Sequence, residues 1–143
     1  MSKFAVILEE LIFESGQNYK TFAASLGLSA SCVTEYISQK AMPTVSNLIK
    51  IADYFKRSTD FLLGREEDGK NLTFKVCPPF CERLKVLEEN FDGSVKEIYE
   101  NAGITKSRYF DWKNGKRVPT VENVIKLAEF FDCRVDYILG RES

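Results

Sequence analysis

The chain has 143 residues, 44% of them hydrophobic and 29% charged, with a formal net charge of −1. This is the composition of a folded soluble protein, since a disordered chain is poorer in Phe, Ile and Leu. No apolar run reaches the roughly 18–20 residues needed to span a bilayer, and Glu9 and Glu10 break the apolar N-terminus "MSKFAVILEELIFE" where a secretory signal tolerates no acid. We expect a cytoplasmic protein, whole as given and without membrane contact. The net charge offers no bulk attraction to nucleic acid, although a global balance hides local patches. Histidine is absent, which removes the commonest general base and a common metal ligand together.

A shift of 76 aligns residues 4–66 with 80–142 without a gap, and 20 of the 63 aligned positions are identical. The identities include Phe4/Phe80, Leu8/Leu84, Leu11/Leu87, Gly27/Gly103 and Ser31/Ser107. They thicken toward the end, where "PTVSNLIKIADYF" meets "PTVENVIKLAEFF" and "LGRE" occurs twice. An ungapped match of this kind means one domain written twice. We therefore expect domains over 1–66 and 80–143, joined by a linker over 67–79.

Each copy reads as helical throughout. Phe4, Ile7, Leu8 and Leu11 recur at helical spacing, as do Phe80, Leu84 and Leu87. In the second copy "SVKE", Ser94 to Glu97, is a capping box that opens a second helix. Gly27 and Gly103 end that helix and turn the chain, and Ser29 and Thr105 are suitable N-caps for a third. Thr44 and Thr120, each after a proline, cap a fourth. Its buried face is expected at Leu48, Ile49, Ala52 and Phe55, or Val124, Ile125, Ala128 and Phe131. A last short helix holds Phe61, Leu62 and Leu63, or Tyr137, Ile138 and Leu139. In the linker, Asp68-Gly69 and Asn71 are turn chemistry, "LTFKV" alternates as a short strand does, and Pro78 and Pro79 suit the start of a helix. The fold class is all-α, with five short helices per copy.

Four cysteines, Cys32, Cys77, Cys81 and Cys133, are expected to be reduced in a cytosolic chain. "CPPFC" supplies a C-x3-C pair, but no second pair and no His completes a zinc site. We expect no metal and no cofactor. Without His, nucleophile elbow or Gly-rich phosphate loop, catalysis has no constellation to stand on, and we expect no enzyme.

A glycine turn between two short helices, followed by "WKNGKRVPTVENVIKLAEFFDCRVDYILG", resembles the Cro/C1-type (Xre) helix-turn-helix domain of phage and bacterial repressors. The resemblance covers nearly the whole chain, once per copy, and implies two tandem lambda-repressor-like domains. It is most specific from Trp112 to Pro119 and at "DYILG", Asp136 to Gly140. The first copy keeps Gly27, Pro43 and "DFLLG" but reads "YISQK" where the second has "WKNGK".

The resemblance implies double-stranded DNA as partner, with the third helix in the major groove and its early residues at base edges. Those positions are Lys106, Ser107 and Asp111 in the second copy, and Ala30, Ser31 and Glu35 in the first. Phosphates are expected at the amides near Ser94, with Lys113, Lys116 and Arg117. Many members carry a glutamine early in the second helix, where this chain has Tyr19 and Val95. The stretch from Lys106 to Arg117 holds five basic residues against Asp111, Arg108 among them, whereas the first copy offers only Lys40 there. If about four phosphates are gripped, the log–log salt slope is near −3.6. The second copy is thus the expected reader.

Several features stay open on sequence alone. Tyr109 and Trp112, aligned with Val33 and Tyr36, read as core. Phe110, expected to lean outward, is a partner contact, a thymine-methyl contact or incidental. Ser31 and Ser107 are DNA contacts or local caps. The two copies form an internal pseudo-dimer on unequal half-sites, or the chain is a homodimer presenting its second copies to a palindrome. The rival reading is an antitoxin-like or adaptor module that holds a protein partner through the first copy, which exposed apolar residues such as Ile12 and Phe13 support.

Overall fold

A computed structural model of the chain describes residues 3–68 and 74–142. It divides into two compact units, residues 1–72 and 73–143. The first unit contains α1 (Lys3–Glu14), α2 (Tyr19–Ser25), α3 (Ala30–Ile37), α4 (Val45–Phe55) and α5 (Thr59–Leu62). The second contains α6 (Phe80–Glu89), α7 (Val95–Ala102), α8 (Lys106–Lys113), α9 (Val121–Phe131) and α10 (Val135–Leu139). Among the described residues all regular structure is helical, and the all-α expectation holds.

The helix starts are local chemistry. Ser29 Oγ accepts from the Cys32 amide at 3.1 Å, and Thr105 Oγ1 accepts from the Arg108 amide at 3.3 Å. Thr44 and Thr120 do the same for the amides of Asn47 and Asn123. Such caps each contribute about 1 kcal/mol. Gly103 ends α7 in the left-handed conformation at φ 77°, and Gly27 follows α2 at φ 72°. A side chain at either position would be strained by backbone alone.

In the first unit α3 packs on α1 and α2, and in the second α8 packs on α6 and α7. Phe4, Leu8, Phe22, Val33, Leu48, Ile51 and Leu62 are buried in the first core. Leu84, Ile98, Tyr109, Trp112, Val124, Leu127 and Ile138 are buried in the second. The fourth helix differs from expectation. Ile51 and Leu127 lie at its centre, while Ile49, Ile125, Phe55 and Phe131 are only half-buried. Its inward stripe is therefore 48, 51 and 52, an i, i+3, i+4 set. Phe55 sits at the rim, its ring stacked on Phe22 at 5.4 Å.

A strand at 72–76 is not formed over 74–76, and Leu72 and Thr73 lie outside the described residues, as do Gly69 and Asn71. The segment after them is fastened to the second unit instead. The Lys75 amide donates to the Arg141 carbonyl at 2.8 Å, and the Arg141 guanidinium lies 3.9 Å from the centre of the Phe74 ring. Pro79 then stands at the N-cap of α6, where a missing N–H costs nothing.

A further correction concerns Ile12. It is 1% exposed and belongs to the core, whereas Phe13 beside it is 83% exposed. One residue along a helix turns a side chain by about 100°, which is enough to separate the two.

Candidate nucleic-acid interface

The outward side of α8 is built by the burial of its inward side. Tyr109 and Trp112 are fully buried, in ring contact with each other at 6.3 Å, and Trp112 meets Phe80 edge-on at 6.0 Å. With those two rings fixed inward, helical geometry turns Lys106, Ser107 and Arg108 to solvent. Phe110 is half-buried, its ring against Tyr99 and Tyr109, so the outward lean expected of it is partial. Tyr36, the counterpart of Trp112, is buried as well and donates no charge to the surface.

The loop after α8 wraps around Asp111. Gly115 takes φ 75°, and the amides of Lys116 and Arg117 donate to the Asp111 carbonyl at 2.9 and 3.3 Å. Arg117 Nε lies 3.6 Å from the Asp111 carboxylate while remaining largely exposed. The Asp111 charge is thereby offset by its own loop. An exposed pair of this kind is worth little, at most about 1 kcal/mol, so Arg117 is easily drawn to another anion.

Lys113 is placed differently. Its Nζ lies 3.1 Å from Glu88 Oε1, and the same carboxylate accepts the Tyr109 hydroxyl at 2.6 Å. Burial, then the bond to Glu88, pushes the Tyr109 hydroxyl far above the ordinary tyrosine range. Lys106, Arg108 and Lys116 are exposed and stand on or just beyond the same helix.

Ser94 is exposed at the N-cap of α7, and the capping box is complete. Its Oγ accepts from the Glu97 amide at 3.2 Å, and its own amide donates to Glu97 Oε1 at 3.4 Å. The Glu97 carboxylate thus already occupies part of the positive end of the helix that an anion would seek. In the first copy Asn18 caps α2 with Thr21 in place of the acid.

The first copy repeats this geometry with different side chains. Ala30, Ser31, Glu35 and Lys40 are all exposed on or beside α3. Ser31 Oγ lies 3.2 Å from the cap hydroxyl of Ser29, a local role that no such bond gives Ser107. Gln39 takes φ 64° where Gly115 takes 75°, and the amides of Lys40 and Ala41 donate to the Glu35 carbonyl at 2.9 and 3.3 Å. The altered "YISQK" loop keeps the shape of "WKNGK". Burial, then a bond with Cys32, pushes the Tyr36 hydroxyl up to about 12.

All four cysteines are half-buried. No helix among the described residues is long and apolar enough to cross a membrane.

Comparison with known proteins agrees with this geometry. The helix-turn-helix family model matches residues 16–62 and again 85–138, well over half of the chain. The HTH-type transcriptional regulator YobD of Bacillus subtilis is 33% identical over 61 residues, covering 43% of this chain and 54% of that protein. The HTH-type transcriptional regulator AnsR of the same organism is 36% identical over 62 residues, 43% and 53% of the two chains. The cryptic phage CTXphi transcriptional repressor RstR of Vibrio cholerae is 28% identical over 87 residues, 59% and 73%. The match thus spans about half the length of the two Bacillus relatives. No solved structure matches the chain at a significant level.

Proposed function

Because the chain belongs to the Cro/C1-type helix-turn-helix family and carries its domain twice, we propose that it is a DNA-binding transcriptional regulator of repressor type, with α8 in the major groove. Its family and the relatives it resembles are transcriptional regulators, not enzymes. One observation carries the choice of α8: Lys106, Arg108 and Lys116 are exposed around it, whereas α3 shows Ala30, Ser31 and Glu35 with Lys40 alone. Cations neutralise phosphates and fix register, and polar groups near the start of the helix then read base edges. Arg117 joins the phosphate set by exchanging Asp111 for the backbone of DNA. Four such contacts correspond to a log–log salt slope of about −3.6.

A second reading has one observation in its favour. Phe13 is 83% exposed and borders an open groove of about 410 Å³ with Glu9, Glu10, Ile12, Gln17 and Tyr19. Its counterpart in the second copy is Glu89. The first copy then serves as a protein-contact module, either between two chains on a palindrome or toward another protein.

Selection from random oligonucleotides at two salt concentrations tests both, with wild type beside a Lys106/Arg108/Lys116/Arg117→Ala variant. Enrichment of a motif by wild type and its loss in the variant is the expected result. A two-fold symmetric motif favours a homodimer, and two unequal half-sites favour the internal pseudo-dimer. No motif, with wild type and variant alike, sinks the DNA reading and leaves the protein-contact module.

A further inference from the structure

A polar contact between α6 and α8 lies behind the basic surface of the second copy. Glu88, in the last turn of α6, accepts the Tyr109 hydroxyl at 2.6 Å through Oε2 and holds Lys113 Nζ at 3.1 Å through Oε1. Tyr109 and Lys113 are one helical turn apart on α8, so both project from one side of it. One carboxylate therefore grips α8 at two points a turn apart, which restrains its rotation and its slide along α6 together.

We propose that Glu88 is a positioning residue for the DNA-facing helix and that Lys113, held by it, serves this clamp and not a phosphate. The proposal rests on the DNA reading above and deepens it. The side chain of Glu88 is only 16% exposed and that of Lys113 is 32% exposed. For Lys113 to reach a phosphate, it must leave a carboxylate only 16% exposed without its cation, and breaking such a pair is unfavourable. Lys106, Arg108 and Lys116 face no such cost. Lys113 Nζ also lies 5.8 Å from the centre of the Phe110 ring, which fills the space beside the clamp. The half-buried Phe110 thereby acquires a role as packing for the clamp.

The first copy shows what the clamp replaces. The counterparts of Glu88, Tyr109 and Lys113 are Ile12, Val33 and Ile37. Apolar packing holds helices together without fixing direction, whereas a hydrogen bond has a preferred line. In the first copy Asn47 Nδ2 donates to the Tyr36 hydroxyl at 3.0 Å and ties the third helix to the fourth, whereas the seam with the first helix is the directional one in the copy whose third helix carries the basic residues.

The test uses the full chain and a duplex carrying the selected motif, titrated over a series of salt concentrations. Lys113→Met and Glu88→Ala are each expected to weaken binding at least about threefold, and the double variant no further than the worse single, because the two act as one unit. Lys113→Met should leave the salt slope unchanged, whereas Lys116→Met should flatten it by about 0.9. Flattening of the same size by Lys113→Met, or tighter binding by Glu88→Ala, overturns the proposal. Hydrogen exchange on the free protein is the second arm. Amides 109–113 should exchange faster in Glu88→Ala, and faster to a lesser degree in Glu88→Gln, which keeps an oxygen for Tyr109. Unchanged exchange in both variants overturns the clamp even when wild type binds its motif. Wild type that binds no duplex at any salt sinks the DNA reading instead, and with it the use to which the clamp is put.

Discussion

Positions 12 and 88 are equivalent in the two copies, yet one holds a core isoleucine and the other a carboxylate with two partners. Ile12 is 1% exposed and stands in register with Val33 and Ile37, whereas Glu88 takes the Tyr109 hydroxyl and the Lys113 ammonium. Three residues on two helices differ in character together, apolar in the first copy and polar in the second, while the hydroxyl caps Ser29 and Thr105 and the glycines at 27 and 103 are shared. Either set alone is consistent, and a mixture of the two is not: a half-buried acid needs its partners, and the partners need the acid. The difference teaches that the third helix can be seated on the first by either chemistry. It also shows that the polar version accompanies the basic surface.

The largest effect expected from breaking this comparison is Ile12→Glu. It places a carboxylate at a 1% exposed position with Val33 and Ile37 where the second copy has a hydroxyl and an ammonium. An uncompensated buried charge costs about 3–5 kcal/mol, against about 3–10 kcal/mol for the whole stability of a domain of this size. Hydrogen exchange of the full chain should show α1–α5 losing protection while α6–α10 keep theirs. Trp112, the only tryptophan, provides a fluorescence control for the second copy. A first copy that keeps its protection would mean that the two seams are interchangeable one residue at a time.

Much of this architecture is legible in the sequence, because it is local or because it is repeated. The caps at Ser29, Thr44, Ser94, Thr105 and Thr120 are each decided within four residues, and the 76-residue shift exposes the duplication directly. What escaped is what depends on pairing between elements. Glu88 and Tyr109 are 21 residues apart, and helical periodicity within α6 gives no reason to look for a partner on α8. A signal was present in the alignment of the copies, where an apolar position becomes acidic just as its two neighbours across the seam become Tyr and Lys. The ion pairs at the end of each copy escaped for the same reason. Asp60 with Arg65 and Asp136 with Arg141 join their side chains at 2.9 and 2.5 Å, and their two identities in the repeat were visible without showing why charges were kept there.

Alkaline pH is a gentler way to separate the copies. An unfolded tyrosine ionises near its ordinary value of about 10, whereas Tyr36 is pushed up to about 12 and Tyr109 further still. The folded state therefore keeps protons that the unfolded state has released, and stability falls as pH rises above about 10. The share due to Tyr36 is fully present below pH 10 and lost by about pH 12, while the share due to Tyr109 goes on falling beyond it. Urea unfolding midpoints from pH 9 to 12 should drop less steeply in Tyr36→Phe and in Tyr109→Phe than in wild type, and by similar amounts, because both hydroxyls stay protonated in the folded state over most of that range. Tyrosinate absorbance separates them: the Tyr36 hydroxyl should begin to ionise near pH 12, lost from the signal in Tyr36→Phe, whereas Tyr109→Phe should leave the folded-state signal unchanged there. A variant whose midpoints fall as steeply as those of wild type would show that the fold does not hold its hydroxyl protonated.

The smallest effect sharpens the comparison of the two loops. Gln39 and Gly115 both take the left-handed conformation, at φ 64° and 75°. The bonds around them match as well: each amide donates 3.2 Å to the carbonyl three residues back, at Tyr36 or Trp112. A side chain in that conformation costs about 1–2 kcal/mol, and glycine gives back about 0.4–1 kcal/mol through its freer unfolded chain. Gln39→Gly should therefore stabilise the first copy by about 0.5–1 kcal/mol, read from a urea midpoint. Gly115→Gln should cost the second copy a similar amount, since a Cβ at Gly115 meets nothing within 4 Å. Because the backbone shape is shared, Lys113 and Lys116 keep their places on either side of the new glutamine. The DNA affinity of Gly115→Gln should then follow its small loss of stability and nothing more. A collapse in affinity with the fold intact would mean that the loop reaches DNA through the bare backbone of Gly115, a contact that Gln39 denies to the first copy.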